Sequence, residues 1–225
     1  MTKAVLLDFY GTLAAAVPGS QRPFRELLEE RGYQPAEWRW DVYDLDHAEH
    51  SVDEAAYAAF QRDQHRRTLE ACGVGPDDME HVLNDVSVWA EAFDIAAYPD
   101  SRPALQALRD MGLRLAICSN WEWDLASFVA QAGLSGLVDV EVTSAQAGWR
   151  KPHPAIYAHT LDLLGIAPRD AVFVGDTWDA DVEGPLAAGM RPVHLWRDDV
   201  ADREPPPLPE GVARISSLTE LVELL

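Results

Sequence analysis

The sequence predicts an α/β fold: a doubly wound parallel sheet built from residues 1–14 and 98–225, with an all-helical cap inserted over residues 15–97. Three observations predict it. Short apolar runs bounded by turn residues alternate with helical patterns, the order that a parallel sheet with helices on both faces requires. Glycines stand where helix C-caps belong. One stretch of about eighty residues after the first apolar run carries helical periodicity and no convincing strand.

The first run, residues 4–7, leads into Asp8-Phe9-Tyr10-Gly11-Thr12-Leu13. The insert follows, with helical patterns over 24–31, 52–72 and 77–91, and the chain re-enters the core at Tyr98-Pro99-Asp100. Strands are then expected over 113–118, 138–142, 171–174 and 192–196, and helices over 102–111, 123–132, 154–164 and 182–188. Gly112, Gly133, Gly165 and Gly189 directly follow those four helical patterns. Glu204-Pro205-Pro206-Pro207-Leu208-Pro209 reads as a stiff surface loop, and residues 218–225 as a closing helix.

With 225 residues, 48% of them hydrophobic, the chain can bury a core of its own. Its formal charge of −20 repels polyanions, which excludes DNA, RNA and anionic membrane surfaces as partners. A small anionic substrate would need local cations. Lys3 and Lys151 are the only lysines, so Lys151 stands alone beyond the first strand. Cys72 and Cys118 lie in unrelated contexts without metal-ligand spacing and read as reduced thiols. The start of the chain runs straight into the first strand with no apolar leader, and no stretch reaches the ~20 apolar residues of a membrane helix. A cytoplasmic monomer or homodimer is expected.

In an open parallel sheet, ligands bind in the crevice at the carboxyl ends of the strands. Asp8, Ser119-Asn120 and Gly175-Asp176 all stand at such ends, and Lys151 lies in the loop Trp149-Arg150-Lys151-Pro152-His153-Pro154. A lone Asp after a strand is more often a turn former or cap. Several polar residues converging on one crevice point to chemistry instead.

Residues 5–13, 117–120, 151–152 and 175–181 resemble, in order and spacing, motifs I to IV of the haloacid dehalogenase-like (HAD) hydrolase superfamily. The long insert after motif I resembles its helical-cap branch, subfamily I. The resemblance implies a Rossmann-like core and a nucleophile at Asp8 that forms a covalent intermediate. It implies that Thr12 and Ser119 donate hydroxyls to the nucleophile or to a bound oxyanion, joined by backbone N–H groups of the Tyr10-Gly11 turn. Lys151, with Asn120 nearby, would hold Asp8 ionised among its neighbours. Asp8, Asp176 and Asp181, with the Tyr10 backbone carbonyl, would ligate Mg²⁺, a cation that takes hard oxygen donors. An acidic first turn facing the helix dipole is the plainer reading of Asp179, and a weaker one of Asp181.

Phosphatases of this superfamily resemble one another in an Asp two residues after the nucleophile, acting as general acid and base. Tyr10 stands there. A phenol, with pKa about 10 in water, can donate a proton but is a poor base near neutrality. Asp8-Phe9-Tyr10-Gly11-Thr12 instead resembles motif I of the 2-haloacid dehalogenases, and Arg39, beside Trp38, is placed like the arginine those enzymes use near the halide. Gly175-Asp176-Thr177 speaks the other way. Three carboxylates in one crevice call for a cation, whereas those dehalogenases are metal-free. A phosphonoacetaldehyde hydrolase would need a cap lysine, and residues 15–97 hold none. A Mg²⁺-dependent phosphatase of a small phosphorylated metabolite is therefore expected. The alternatives are a 2-haloacid dehalogenase and a weakly catalytic protein that binds phosphorylated ligands.

The cap should supply specificity by closing over the crevice. Its candidate substrate contacts are Arg39 and Trp38. At helical spacing, however, aromatic residues are more often core. Trp121, Trp123, Trp149 and Trp178 lie beside the motif loops and suggest an apolar rim to the pocket.

Overall fold

Four wholly buried residues, Ala4–Leu7, form strand β1 at the centre of the sheet. The computed structural model describes residues 1–34, 36, 38, 44–197 and 204–225. After β1 come β2 (Ala14–Ala16), α1 (Phe24–Glu29), α2 (Glu54–Ala71), α3 (Pro76–Glu91), β3 (Ile95–Ala97) and α4 (Ser101–Asp110). Then follow β4 (Arg114–Ser119), α5 (Ala126–Gln131), β5 (Val140–Thr143), α6 (Ser144–Ala147) and α7 (Pro154–Leu164). The chain closes with β6 (Ala171–Gly175), α8 (Gly184–Ala187), β7 (Arg191–Leu195), β8 (Ala213–Ile215) and α9 (Leu218–Leu224).

Six strands form one sheet in the order β5-β4-β1-β6-β7-β8, every pair parallel. The chain leaves β1 toward β4 and β5, then returns to the other side of β1 for β6, so the strand order reverses at β1. Alternate side chains of a strand point to opposite faces, and both faces are covered. Val5 and Leu7 pack with Leu105, Val129 and Leu221 from α4, α5 and α9. Ala4 and Leu6 pack with Ile156, Tyr157 and Leu161 from α7. This is the doubly wound α/β architecture that the alternating pattern predicts.

Helices α1 to α3 pack on one another through a cluster of their own, including Phe24, Leu28, Leu69, Val82 and Leu83. α2 is capped at its N-terminus by the Asp53 carboxylate, which accepts from the Ala56 N–H at 2.8 Å. The insert touches the core through backbone: the His47 N–H donates to the Gly148 carbonyl at 2.8 Å, and the Arg150 N–H to the Leu45 carbonyl at 2.9 Å.

Four local expectations are corrected. The insert is flanked by a small antiparallel pair, β2 with β3, where no strand was expected after Ala15. Three consecutive alanines carry helix propensity and no alternation, so pairing across the two linkers makes them extended. β8 was missed because three residues are too short to show a period. The helix expected from Trp123 starts only at Ala126; Asp124 turns the chain first, its carboxylate accepting from the Ser127 N–H at 3.1 Å. The helix expected over 182–188 begins earlier, as a π-helical turn over Trp178–Glu183, and continues as α8.

Candidate active site

β1 delivers Asp8 to the carboxyl edge of the sheet, fixed there by its own N–H, which donates to the Val174 carbonyl of β6 at 2.9 Å. The chain then turns tightly: the Leu13 and Ala14 N–H groups both donate to the Phe9 carbonyl. Gly11 sits in this turn at φ +83, and a Cβ there would lie 2.5 Å from the Asp176 carboxylate. Only glycine both adopts that backbone and leaves the carboxylate room.

Around Asp8 the structure gathers five of the residues that the sequence picked out: Ser119, Asn120, Lys151, Asp176 and Asp181. The Ser119 hydroxyl, from the end of β4, donates to Asp8 Oδ1 at 2.8 Å. Lys151 Nζ donates to the same oxygen at 2.7 Å and to Asp181 Oδ1 at 2.6 Å. Its ammonium also lies 5.0 Å from the centre of the Phe173 ring. Asn120 holds the lysine's backbone from both sides, donating to the Lys151 carbonyl at 2.9 Å and accepting from the Lys151 N–H at 2.7 Å. Asn120 therefore fixes the loop that presents the ammonium.

Asp176 and Asp181 close the group. One carboxylate oxygen each of Asp8, Asp176 and Asp181 lie within 4.8 Å of one another. Asp181 is wholly buried and Asp179 exposed, so the solvated first-turn reading suits Asp179 alone. Gly175 belongs here too, because a side chain on it would collide with the Asp181 carboxylate.

Electrostatics describe an under-neutralised pocket. Burial, and then the neighbouring Asp8, push Asp176 up to about 6. Burial likewise raises Asp181, with Lys151 opposing and Asp8 adding to the rise. Burial alone would lower Lys151, but Asp181 and Asp8 outweigh it and raise its pKa, so the ammonium stays charged. Three carboxylates face a single ammonium, so the site holds more acids than Lys151 can pair. A divalent cation with a preference for oxygen fits this donor set and this charge.

Two expectations are corrected. Thr12 Oγ1 donates to Asp176 Oδ1 at 3.3 Å rather than to the nucleophile. The Gly11 N–H is used inside the turn, on the Ala14 carbonyl at 2.8 Å, and is not free for an oxyanion. Tyr10 is 47% exposed and its ring leans on Trp121, 6.2 Å away. Trp38 packs in the insert against Phe24, His65 and Trp89, as helical spacing suggested. Arg39 lies outside the described residues. Arg22, Arg31, Arg62, Arg66 and Arg67 pair with acids of the insert itself.

Two features were not anticipated. Tyr57 of α2 donates to Glu122 Oε2 at 2.7 Å, joining the insert to the loop after Asn120, and burial raises that carboxyl. Glu122 stands two places after Asn120, which was the available signal. Arg197 donates to the Thr12 carbonyl at 2.7 Å and to Asp100 at 3.1 Å, tying the nucleophile turn to the start of α4. Nothing in the sequence marks it.

A family model for haloacid dehalogenase-like hydrolases matches residues 2–189. The chain belongs to this family. Within it, a phosphoserine phosphatase from Thermus thermophilus is 30% identical over 200 residues, 87% of this chain and 78% of that protein. A glyceraldehyde 3-phosphate phosphatase from Methanopyrus kandleri is 36% identical over 109 residues, 48% of this chain. That match spans about half the length of the relative, 47%. By structure, a 2-haloacid dehalogenase from Pseudomonas syringae superposes with a TM-score of 0.67 over all of this chain and 98% of its own, at 24% identity, a likeness of fold. Two chemistries thus occur on this HAD fold, and the site must distinguish them.

Proposed function

We propose that this HAD-family chain is a Mg²⁺-dependent phosphatase of small phosphorylated metabolites, acting in the cytoplasm through a phosphoryl group carried on Asp8. The observation that carries the reading is the trio of Asp8, Asp176 and Asp181, with carboxylate oxygens within 4.8 Å of one another and the Lys151 ammonium on two of them, Asp8 and Asp181. Those carboxylates would hold the cation. A bound Mg²⁺ would neutralise phosphoryl oxygens and the pocket's excess charge.

The side chains supply the rest. Both hydrogen bonds to Asp8 fall on Oδ1, which leaves Oδ2 to attack phosphorus. The Oδ2–P bond forms as the bond from phosphorus to the leaving oxygen breaks, and that oxygen takes up a proton. Water then attacks phosphorus, the P–Oδ2 bond breaks, and Asp8 is restored with release of phosphate. Lys151 and Ser119, both bonded to Oδ1, orient the Asp8 carboxylate for the attack. Tyr10, at the position from which proton transfer is expected, donates better than it accepts. The second half, in which water must lose a proton, is therefore the slower one.

A second reading has one specific observation behind it. Tyr10 follows the dehalogenase form of motif I, and carbon–halogen displacement needs no proton donor. The carboxylate trio weighs against it. The discriminating experiment assays phosphate release from a phosphometabolite panel and chloride release from L-2-chloropropionate, each with and without EDTA. Phosphate release that EDTA stops, with no chloride under any condition, is expected. Chloride release that survives EDTA would overturn the phosphatase reading.

A further inference from the structure

Asp181 sits on a π-helical turn, Trp178–Glu183, that runs into Pro185. The Gly184 N–H donates to the Asp179 carbonyl, five residues back, as a π turn requires. By the same count, the Ala180 carbonyl should accept from residue 185. That residue is Pro185, which has no N–H. Ala180 is buried, and a buried carbonyl without a donor is costly.

Tyr157 of α7 supplies the missing donor. Its hydroxyl, wholly buried, reaches the Ala180 carbonyl at 2.6 Å. The space it occupies exists because residue 184 is glycine: a Cβ there would run into the Tyr157 hydroxyl. The ring packs edge-on against Phe173, 5.7 Å away, the same ring that lies beneath the Lys151 ammonium. Tyr157 and Lys151 come from one segment, six residues apart. One grips the backbone just before Asp181, and the other grips the Asp181 carboxylate.

We propose that Tyr157 is a positioning residue for the cation site: its hydroxyl replaces the backbone donor that Pro185 lacks, fixing the π turn and with it the place of Asp181. The proposal rests on the metal reading above. Loss of a partner that orients a metal ligand weakens binding by about 10- to 100-fold.

The test is Mg²⁺ binding by isothermal titration calorimetry, with circular dichroism as the check on folding. Wild-type protein should bind Mg²⁺, Tyr157→Phe should bind it about tenfold more weakly, and the double variant Tyr157→Phe/Pro185→Ala should recover most of the loss. Recovery is expected because alanine at 185 restores an N–H for the Ala180 carbonyl, and a role limited to filling the core would give none. Equal affinity of Tyr157→Phe and wild type would overturn the proposal while leaving the metal reading intact. So would weakened binding that the double variant does not restore. If Tyr157→Phe alone fails to fold, the double variant should still fold and bind, and its failure would count against the proposal. Wild-type protein that binds no Mg²⁺ would overturn the metal reading itself, and this proposal with it.

Discussion

Asp176 shows how much strain three carboxylates place on one buried corner. Its pKa stands at about 6 against an ordinary value of 3.8, from burial first and from Asp8 second. A carboxyl raised in the fold binds its proton more tightly folded than unfolded, so its contribution to stability falls as pH rises from about 4 through about 6. Two units correspond to roughly 3 kcal/mol. Asp176→Asn removes the charge but keeps the shape. Without Mg²⁺, the variant is expected to be more stable than wild type at pH 7 to 8 by up to about 3 kcal/mol, with the gap closing near pH 4. Added Mg²⁺ should stabilise wild type by linkage and leave the variant unmoved. Urea melts at several pH values, with and without Mg²⁺, measure this. A variant less stable than wild type at pH 8 without metal would contradict the account.

At this scale the sequence was most informative where a residue's role follows from the end of a strand. Asp8, Ser119 and Asp176 were readable because strand ends in a parallel sheet converge, Lys151 because its loop leads to the same crevice, and Asp181 only through the resemblance to motif IV. Thr12 and the Gly11 N–H were misplaced because a turn's internal hydrogen bonds depend on φ and ψ, which residue types do not specify. Tyr157 was passed over because its hydroxyl answers a vacancy created by Pro185, twenty-eight positions away, and no local pattern connects them.

Elements bring the site together through backbone contacts that side-chain patterns do not reveal. The insert's segment around His47 pairs with the loop leading into Lys151, and Gly148 makes that approach possible. It adopts φ +84, and a Cβ on it would sit 2.6 Å from the Ala48 Cα. Gly136 has a similar φ of +75 with open space around it. The left-handed backbone costs an L residue roughly 1–2 kcal/mol at either position. Gly148→Ala is therefore expected to destabilise the protein clearly more than Gly136→Ala in urea unfolding, the difference isolating the collision with Ala48. Equal losses would mean that the insert does not press on this loop. Long elements such as α2, α3 and α7 were legible from periodicity and caps. The pair β2–β3 and strand β8 were not, because three-residue strands are specified by their partners.

Across the whole molecule, a formal charge of −20 surrounds a crevice that the proposed function assigns to an anionic substrate. On that reading long-range attraction would not deliver the substrate, and among the described residues recognition would fall to Lys151 and to the dication that the trio would hold. The sheet order makes this workable. Because the chain reverses direction across the sheet at β1, the loops after β1, β4 and β6 open on one crevice, and four residues of different sign meet there. The insert brings no lysine, and its Arg22, Arg31, Arg62, Arg66 and Arg67 pair with the insert's own acids. In the proposed reaction Asp8 carries the phosphoryl group. The most direct test is acid quenching during turnover of p-nitrophenyl phosphate with Mg²⁺, followed by mass spectrometry of the peptide that contains Asp8. The account predicts one phosphoryl group on Asp8, accumulating because the water step is slow, and none in Asp8→Asn or in EDTA. A phosphoryl group on another residue, or turnover that persists in Asp8→Asn, would contradict it.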